Sequence, residues 1–348
     1  MHFASDNSGP VHPKVMEALA AANAGYAMPY GADDLMAQVT ARMRETFEAP
    51  EAVVYLVATG TAANSIALAT LSQPFQTIFC SPVAHIHEDE CNAPEFYTGG
   101  AKLTLVGENA KMTPDALHTA IEAEESRGVH GPQRGPVSIT NVTERGTVYT
   151  PGEIKELTEV AKGFGLPVHL DGARFANALV ATGASAAEMT WGAGVDVVSF
   201  GGTKNGLMGV EAVVFFDPKH AWEFELRRKR GAHLFSKHRY LSAQMLAYLE
   251  DGLWLDMAHA ANAANARLVA GLEAVDGVQF SHPPQANMSF AAFPRASHQR
   301  LHAAGAQYYV WEGQLEGDDP TEALTARMVT DWSAREQDID KFIDIVAG

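Results

Sequence analysis

Between residues 53 and 216 the chain alternates short apolar, β-branched runs with helical patterns, and this alternation constrains the fold more than any other feature. The runs are Val53–Val57, Thr77–Cys80, Leu103–Val106, Val137–Thr140, Val168–Leu170, Val195–Phe200 and Val213–Phe216. Several are almost continuously apolar, as strands are when both of their faces are covered. Helices between them open on clear signals. Thr113-Pro114-Asp115 and Thr150-Pro151-Gly152-Glu153 each combine an N-cap hydroxyl with proline at the first helical position. Strand and helix in turn predict an α/β fold built on a mostly parallel sheet.

The alternation stops near residue 220. A helix-rich stretch follows, with a long Ala-rich pattern from about Leu241 to Leu272, then strand-like pieces at Val278–Phe280 and Ser289–Phe293, then an amphipathic helix over Glu336–Val346. With 348 residues, two domains are expected: a large α/β domain over 1–240, N-terminal segment included, and a smaller C-terminal α+β domain over 241–348. Lys and Arg number 25 against 42 Asp and Glu, a net charge of −17. So acidic a chain has no general attraction for nucleic acid or an anionic membrane. No apolar run approaches the length of a membrane span, and the N-terminus lacks the basic and apolar regions of a signal peptide. Two cysteines, Cys80 and Cys91, are too few for a disulfide scaffold. A cytoplasmic protein without a metal site is expected.

Open parallel sheets bind ligands beyond the carboxyl ends of their strands, so polar residues directly after the runs are the candidates. Thr59-Gly60-Thr61-Ala62-Ala63-Asn64 follows the first run and opens an apolar helix. It reads either as a plain N-capped turn or as a cup for phosphate, with Gly60 allowing close approach and Thr61 offering an N–H and a hydroxyl. His169-Leu170-Asp171-Gly172-Ala173-Arg174 sets an acid and an arginine at one strand end, as a buried ion pair or as two binding groups. Ser199-Phe200-Gly201-Gly202-Thr203-Lys204 puts a lysine in a Gly-rich loop, either solvated or desolvated enough to serve as an amine nucleophile. A phosphate cup, an acid able to hold a protonated ring nitrogen and a lysine able to form a Schiff base are together the parts of a pyridoxal 5′-phosphate site.

Over most of its length the chain resembles the low-specificity L-threonine aldolases, of the fold-type I (aspartate aminotransferase-like) pyridoxal-phosphate enzymes. The matching pieces are Ser5-Asp6, Tyr30-Gly31-Ala32-Asp33, Thr59–Asn64, Ala84-His85-Ile86, Thr143 in its Asn-Val-Thr-Glu-Arg-Gly turn, His169–Arg174, Thr203-Lys204 and Arg327–Trp332. The resemblance implies roles. Lys204 would hold the cofactor covalently, Asp171 would pair with its ring nitrogen, His85 would stack on the ring, with His87 as a rival, and Gly60 and Thr61 would bind its phosphate. Ser5, Arg174 and Arg327 would grip the substrate carboxylate, and His130 would approach the substrate hydroxyl. A cation from the basic stretch 227–239 would reach the phosphate; Lys229, Arg230, Lys237 and Arg239 are open alternatives. Thr203 departs from the serine often found before the lysine. The implied reaction is retro-aldol cleavage of a β-hydroxy-α-amino acid to glycine and an aldehyde, in a homo-oligomer, dimer or tetramer, with shared active sites. The alternatives are an aminotransferase or β-eliminating lyase of the same fold, and a non-catalytic pyridoxal-phosphate-binding protein.

Overall fold

The computed structural model describes residues 1–348. Each of the seven runs becomes a strand of one sheet: β1 (Val53–Val57), β2 (Gln76–Cys80), β3 (Lys102–Leu105), β4 (Gln133–Thr140), β5 (Val168–Gly172), β6 (Val197–Gly201) and β7 (Glu211–Phe215). Their order is β1-β7-β6-β5-β4-β2-β3. The pairs from β6 through β3 are all parallel, whereas β7 is antiparallel to both of its neighbours. The reversal has a simple cause. A parallel return needs a crossover of a dozen or more residues, and the link Gly202–Val210 is too short for one. Helices cover the faces, which explains why β5, β6 and β7 are buried along their whole length.

A second, antiparallel sheet has the order β10-β11-β9-β8, from β8 (Gln279–Phe280), β9 (Met288–Pro294), β10 (Tyr309–Glu312) and β11 (Ala323–Val329). It packs its own core of Phe293, Leu301, Met328, Ile339 and Phe342. The Ala-rich stretch forms two helices, Arg239–Leu249 and Leu253–Glu273. Between them Asp251 (φ 51°) and Gly252 (φ 73°) adopt left-handed backbone that no α-helix continues through. Leu241, Met245, Tyr248, Trp254 and Met257 pack into the larger core, past the expected division at 240, and Leu268 and Leu272 enter the smaller one. The helix Leu253–Glu273 thus serves both cores.

The N-terminal segment joins them as well. Phe3 lies in the smaller core, its N–H donates to the Gln307 carbonyl at 2.7 Å, and its carbonyl accepts from Val329 N–H at 2.8 Å. A few residues later the chain crosses to the large sheet and meets its carboxyl-end edge.

Candidate active site

Asp171 sits at the carboxyl end of β5, opposite Thr140 of β4 and Ser199 of β6, and is 2% exposed. Ala173 N–H donates to its Oδ1 at 3.0 Å and Asn64 Nδ2 to its Oδ2 at 2.9 Å. His169, two residues earlier on the same strand face, is wholly buried between Ser138 Oγ (2.9 Å) and Ser199 Oγ (3.0 Å). Burial pushes its pKa down to about 4, against the pull of the Asp171 charge.

Lys204 lies in the turn Thr203–Asn205 directly after β6 and is half-buried. A Cβ at Gly201 would overlap the Ala173 carbonyl, so only glycine lets β6 end this close to the Asp171 strand. Buried Glu211, at the start of β7, takes the Gly202 N–H at 2.7 Å and pins the turn from below. Lys204 is near enough to act electrostatically on Asp6 and on His85.

Thr59 caps the helix Gly60–Leu71, accepting from Ala62 N–H at 3.2 Å. The N–H groups of Gly60 and Thr61 at its first turn have no helical partner to meet. Nothing stands within 4 Å of where a Gly60 Cβ would be. Close by, Arg228 is buried with its Nη1 on the Leu56 carbonyl at 3.3 Å, its guanidinium 4.9 Å from the Tyr55 ring centre and its Nε unpartnered. Its neighbour Lys229 instead lies 5.0 Å from the Tyr30 ring centre, and Arg239 holds the Gly25 carbonyl at 3.0 Å. Arg230 and Lys237 are exposed. Arg228 is a cation that sequence reasoning passed over. Its place at the buried position of a solvated basic helix is what distinguishes it.

His85 opens the short helix His85–Glu88, and its Nδ1 lies 2.8 Å from Glu90 Oε1. That same oxygen accepts from Asn64 Nδ2 at 2.9 Å, so Asp171, Asn64, Glu90 and His85 form one continuous chain of contacts. Burial alone would lower the His85 pKa. The Glu90 bond, with Asp171 behind it, reverses the sign and raises it. His87 is exposed and outside this chain. Glu90 carried no motif of its own; its place beside His85 and Asn64 comes from the fold.

Arg174, just after β5 at the start of the next helix, and Arg327 on β11 are close enough for the Arg174 charge, after burial, to lower the Arg327 pKa. Arg174 donates its Nε and Nη2 to Asp6 at 2.6 and 3.0 Å, and its remaining Nη1 is buried without a partner. Asn287 Nδ2 also reaches Asp6 Oδ2 at 3.2 Å. Arg327 Nη1 donates to the Ala4 carbonyl at 3.3 Å. Ser5 and Arg327 line one cavity of about 340 Å³ with Glu88, Asp89, Glu144, Arg145, Tyr309 and Trp311.

His130 is not brought to this group within the chain. It is exposed, in the turn Gly128–His130 ahead of β4, while the other residues gather at the strands' carboxyl ends. The length of β4 separates the two ends by about 25 Å at roughly 3.3 Å per residue.

The family model for beta-eliminating lyases matches residues 2–294. The chain is 41% identical over 314 residues to a low-specificity L-threonine aldolase of a Pseudomonas species, covering 89% of each chain. It is 41% identical to that of Pseudomonas aeruginosa, covering 90% of each. A solved structure of Leishmania major threonine aldolase matches with a TM-score of 0.91 at 26% identity, covering 99% of this chain and 98% of that one.

Proposed function

The chain belongs to the beta-eliminating lyase family, among the low-specificity L-threonine aldolases, and from that premise we infer that it is a pyridoxal 5′-phosphate-dependent carbon–carbon lyase. Its fold is the fold-type I architecture, a mostly parallel central sheet with a smaller α+β unit. Its reaction is cleavage of L-threonine, L-allo-threonine and related β-hydroxy-α-amino acids such as phenylserine to glycine and an aldehyde.

The residues fit the cofactor on physical grounds. A buried Arg228 with an unpartnered Nε and an open helix N-terminus at Gly60 suit a phosphate. Asp171, its oxygens already oriented by Asn64 and Ala173, suits a protonated ring nitrogen. When bound, pyridoxal phosphate supplies an electron sink for the pair released as a bond to the substrate α-carbon breaks. Lys204 would hold the cofactor through its amine. Asp171 would keep the proton on the ring nitrogen, and the Asn64–Glu90 contacts orient the His85 imidazole that would pack against the cofactor. Arg327 and Ser5 hold the substrate carboxylate, with Arg174 contributing only through Nη1. A carboxylate fixed in this way sets which α-carbon bond stands ready to break.

The observation that carries the reading is the meeting of Lys204, Asp171 and His85 at one sheet edge, beside a cavity lined by Ser5 and Arg327. The same reading includes a homo-oligomer, dimer or tetramer, and a cytoplasmic location. Supporting the first, Tyr26, Met28 and Tyr30 are exposed around Gly31, beside an apolar groove of about 580 Å³. Light scattering tests it, a fully active monomer being the adverse result. The activity is tested by incubating purified protein with L-threonine, L-allo-threonine and L-phenylserine. Glycine and aldehyde support it; keto acid with ammonia would mark an eliminating lyase instead.

A further inference from the structure

A retro-aldol cleavage needs a base for the β-hydroxyl proton, and most acids and bases around the site are already engaged. Asp171 has both oxygens occupied by Asn64 and Ala173. Asp6 is spent on Arg174. Glu90 has a fully covered side chain, tied to His85 and Asn64. His85 has its Nδ1 on that carboxylate, which favours a protonated ring and a poor proton acceptor.

Glu144 is different. It stands on the turn Thr143–Gly146 that follows β4, closed by Gly146 N–H donating to the Thr143 carbonyl at 2.8 Å. The turn is rigid by construction. Thr143 and Thr147 hydroxyls meet at 2.7 Å, and Asn141 N–H donates to the Asp171 carbonyl at 2.9 Å. Gly146, at φ 74°, packs so tightly that a Cβ would lie 3.0 Å from the Met288 carbonyl oxygen. The turn therefore holds its central residues at the carboxyl-end edge, over the strand that carries Asp171. Glu144 is half-buried, lines the cavity of Ser5 and Arg327, and has no ion pair or hydrogen bond engaging its carboxylate. Arg174, Arg327 and His85 all feel its charge. Arg145, Glu88 and Asp89 complete the charged lining; the last two are exposed, at the end of the short helix His85–Glu88.

We propose that Glu144 is the catalytic base that takes the β-hydroxyl proton of the substrate. The proposal rests on the aldolase reading and names a residue for a step that reading leaves unassigned. The O–H bond breaks and its proton passes to a Glu144 oxygen. The O–H electron pair becomes the second carbon–oxygen bond of the departing aldehyde, and the Cα–Cβ pair stays with the glycine fragment. That fragment then gains one proton, which balances the one Glu144 has taken.

The test compares two reactions of wild-type protein and Glu144→Gln, both saturated with pyridoxal phosphate. One is aldehyde release from L-threonine and L-phenylserine. The other is exchange of the glycine α-proton with D2O, followed by NMR, which requires carboxylate binding and the cofactor but no β-hydroxyl base. Loss of a positioned base is expected to slow aldehyde release by about 10²–10⁴-fold. Glycine exchange and the thermal midpoint should stay near wild type, and Glu144→Asp should recover part of the cleavage. Cleavage retained within about threefold overturns the proposal. So does an equal loss of cleavage and exchange in a folded variant, since that marks a residue needed to hold substrate. Should Glu144→Gln fail to fold, Glu144→Asp and Glu144→Ala are read by the same ratio of cleavage to exchange. Wild-type protein that exchanges glycine protons but releases no aldehyde refutes the aldolase reading itself, and Glu144 loses its role with it.

Discussion

Arg174 donates two parallel hydrogen bonds to Asp6, at 2.6 and 3.0 Å, and both side chains are almost fully covered. The fork is therefore occupied by the protein's own carboxylate. Burial would raise the Asp6 pKa, but the Arg174 charge and hydrogen bonds lower it overall. A lowered carboxyl pKa stabilises the fold fully above the unfolded value of about 3.8, and the contribution fades as pH falls through the folded value. Asp6→Asn is expected to cost about 3–5 kcal/mol at pH 7, because it leaves a buried guanidinium uncompensated. Urea denaturation measures it; a loss under about 1 kcal/mol would show that the pair is dispensable.

Buried His169 gives a second pH dependence. Its folded pKa of about 4 lies below the ordinary histidine value of 6.5, so its share of stability is full above 6.5 and drains away as pH falls towards 4. By pH 4 the share lost is about 3 kcal/mol at most, at 1.36 kcal/mol per unit. His238 and His298, also near 4, contribute to the same slope. His169→Gln should flatten part of it in a pH series of thermal midpoints. An unchanged slope would assign it to the other two histidines.

Lys204 is expected to carry the cofactor. Borohydride reduction of the yellow protein followed by peptide mapping should find the pyridoxyl group on Lys204, and Lys204→Ala should take no label. A modified lysine elsewhere would remove it from this role.

Arg228→Met should weaken pyridoxal-phosphate binding by roughly 10- to 100-fold, the worth of one charge-assisted hydrogen bond of about 1.5–3 kcal/mol. Equilibrium dialysis of the apoprotein measures it. Unchanged affinity would pass the phosphate to another cation, including one from a second subunit.

Arg327→Lys should lower kcat/KM for L-threonine by about 10- to 100-fold, since an ammonium cannot reproduce a planar fork. Cofactor absorbance should not change. Wild-type kcat/KM in this variant would return Arg327 to a merely structural part, holding the Ala4 carbonyl.

Asp171 and Lys204 were legible because an α/β sheet presents its strand ends on one side, and a residue's place after an apolar run tells where it will stand. Asn64 lay inside a recognised motif, but its job of linking Asp171 to Glu90 depends on packing across 107 and 26 residues of chain. Arg174 shows the same limit. Its chemistry as a carboxylate binder was readable, yet the carboxylate that takes its fork is 168 residues away. His130 was placed by spacing along the chain, which does not say at which end of β4 the spacing falls. The break at Asp251-Gly252 did have a local signal, a glycine after a helical run, masked by the Ala-rich pattern on both sides.

The N-terminal segment binds partners made some 280 to 325 residues after it, as well as one in mid-chain. Phe3 takes its backbone partners from Gln307 and Val329, and Asp6 is held by Asn287 as well as by Arg174. At about 5–20 residues per second the ribosome needs on the order of half a minute or so to travel from one set to the other. Throughout that interval the first strand-like residues must wait, unpaired, while the large sheet assembles behind them. Closure of the site edge thus waits until residues 287–329 have been made.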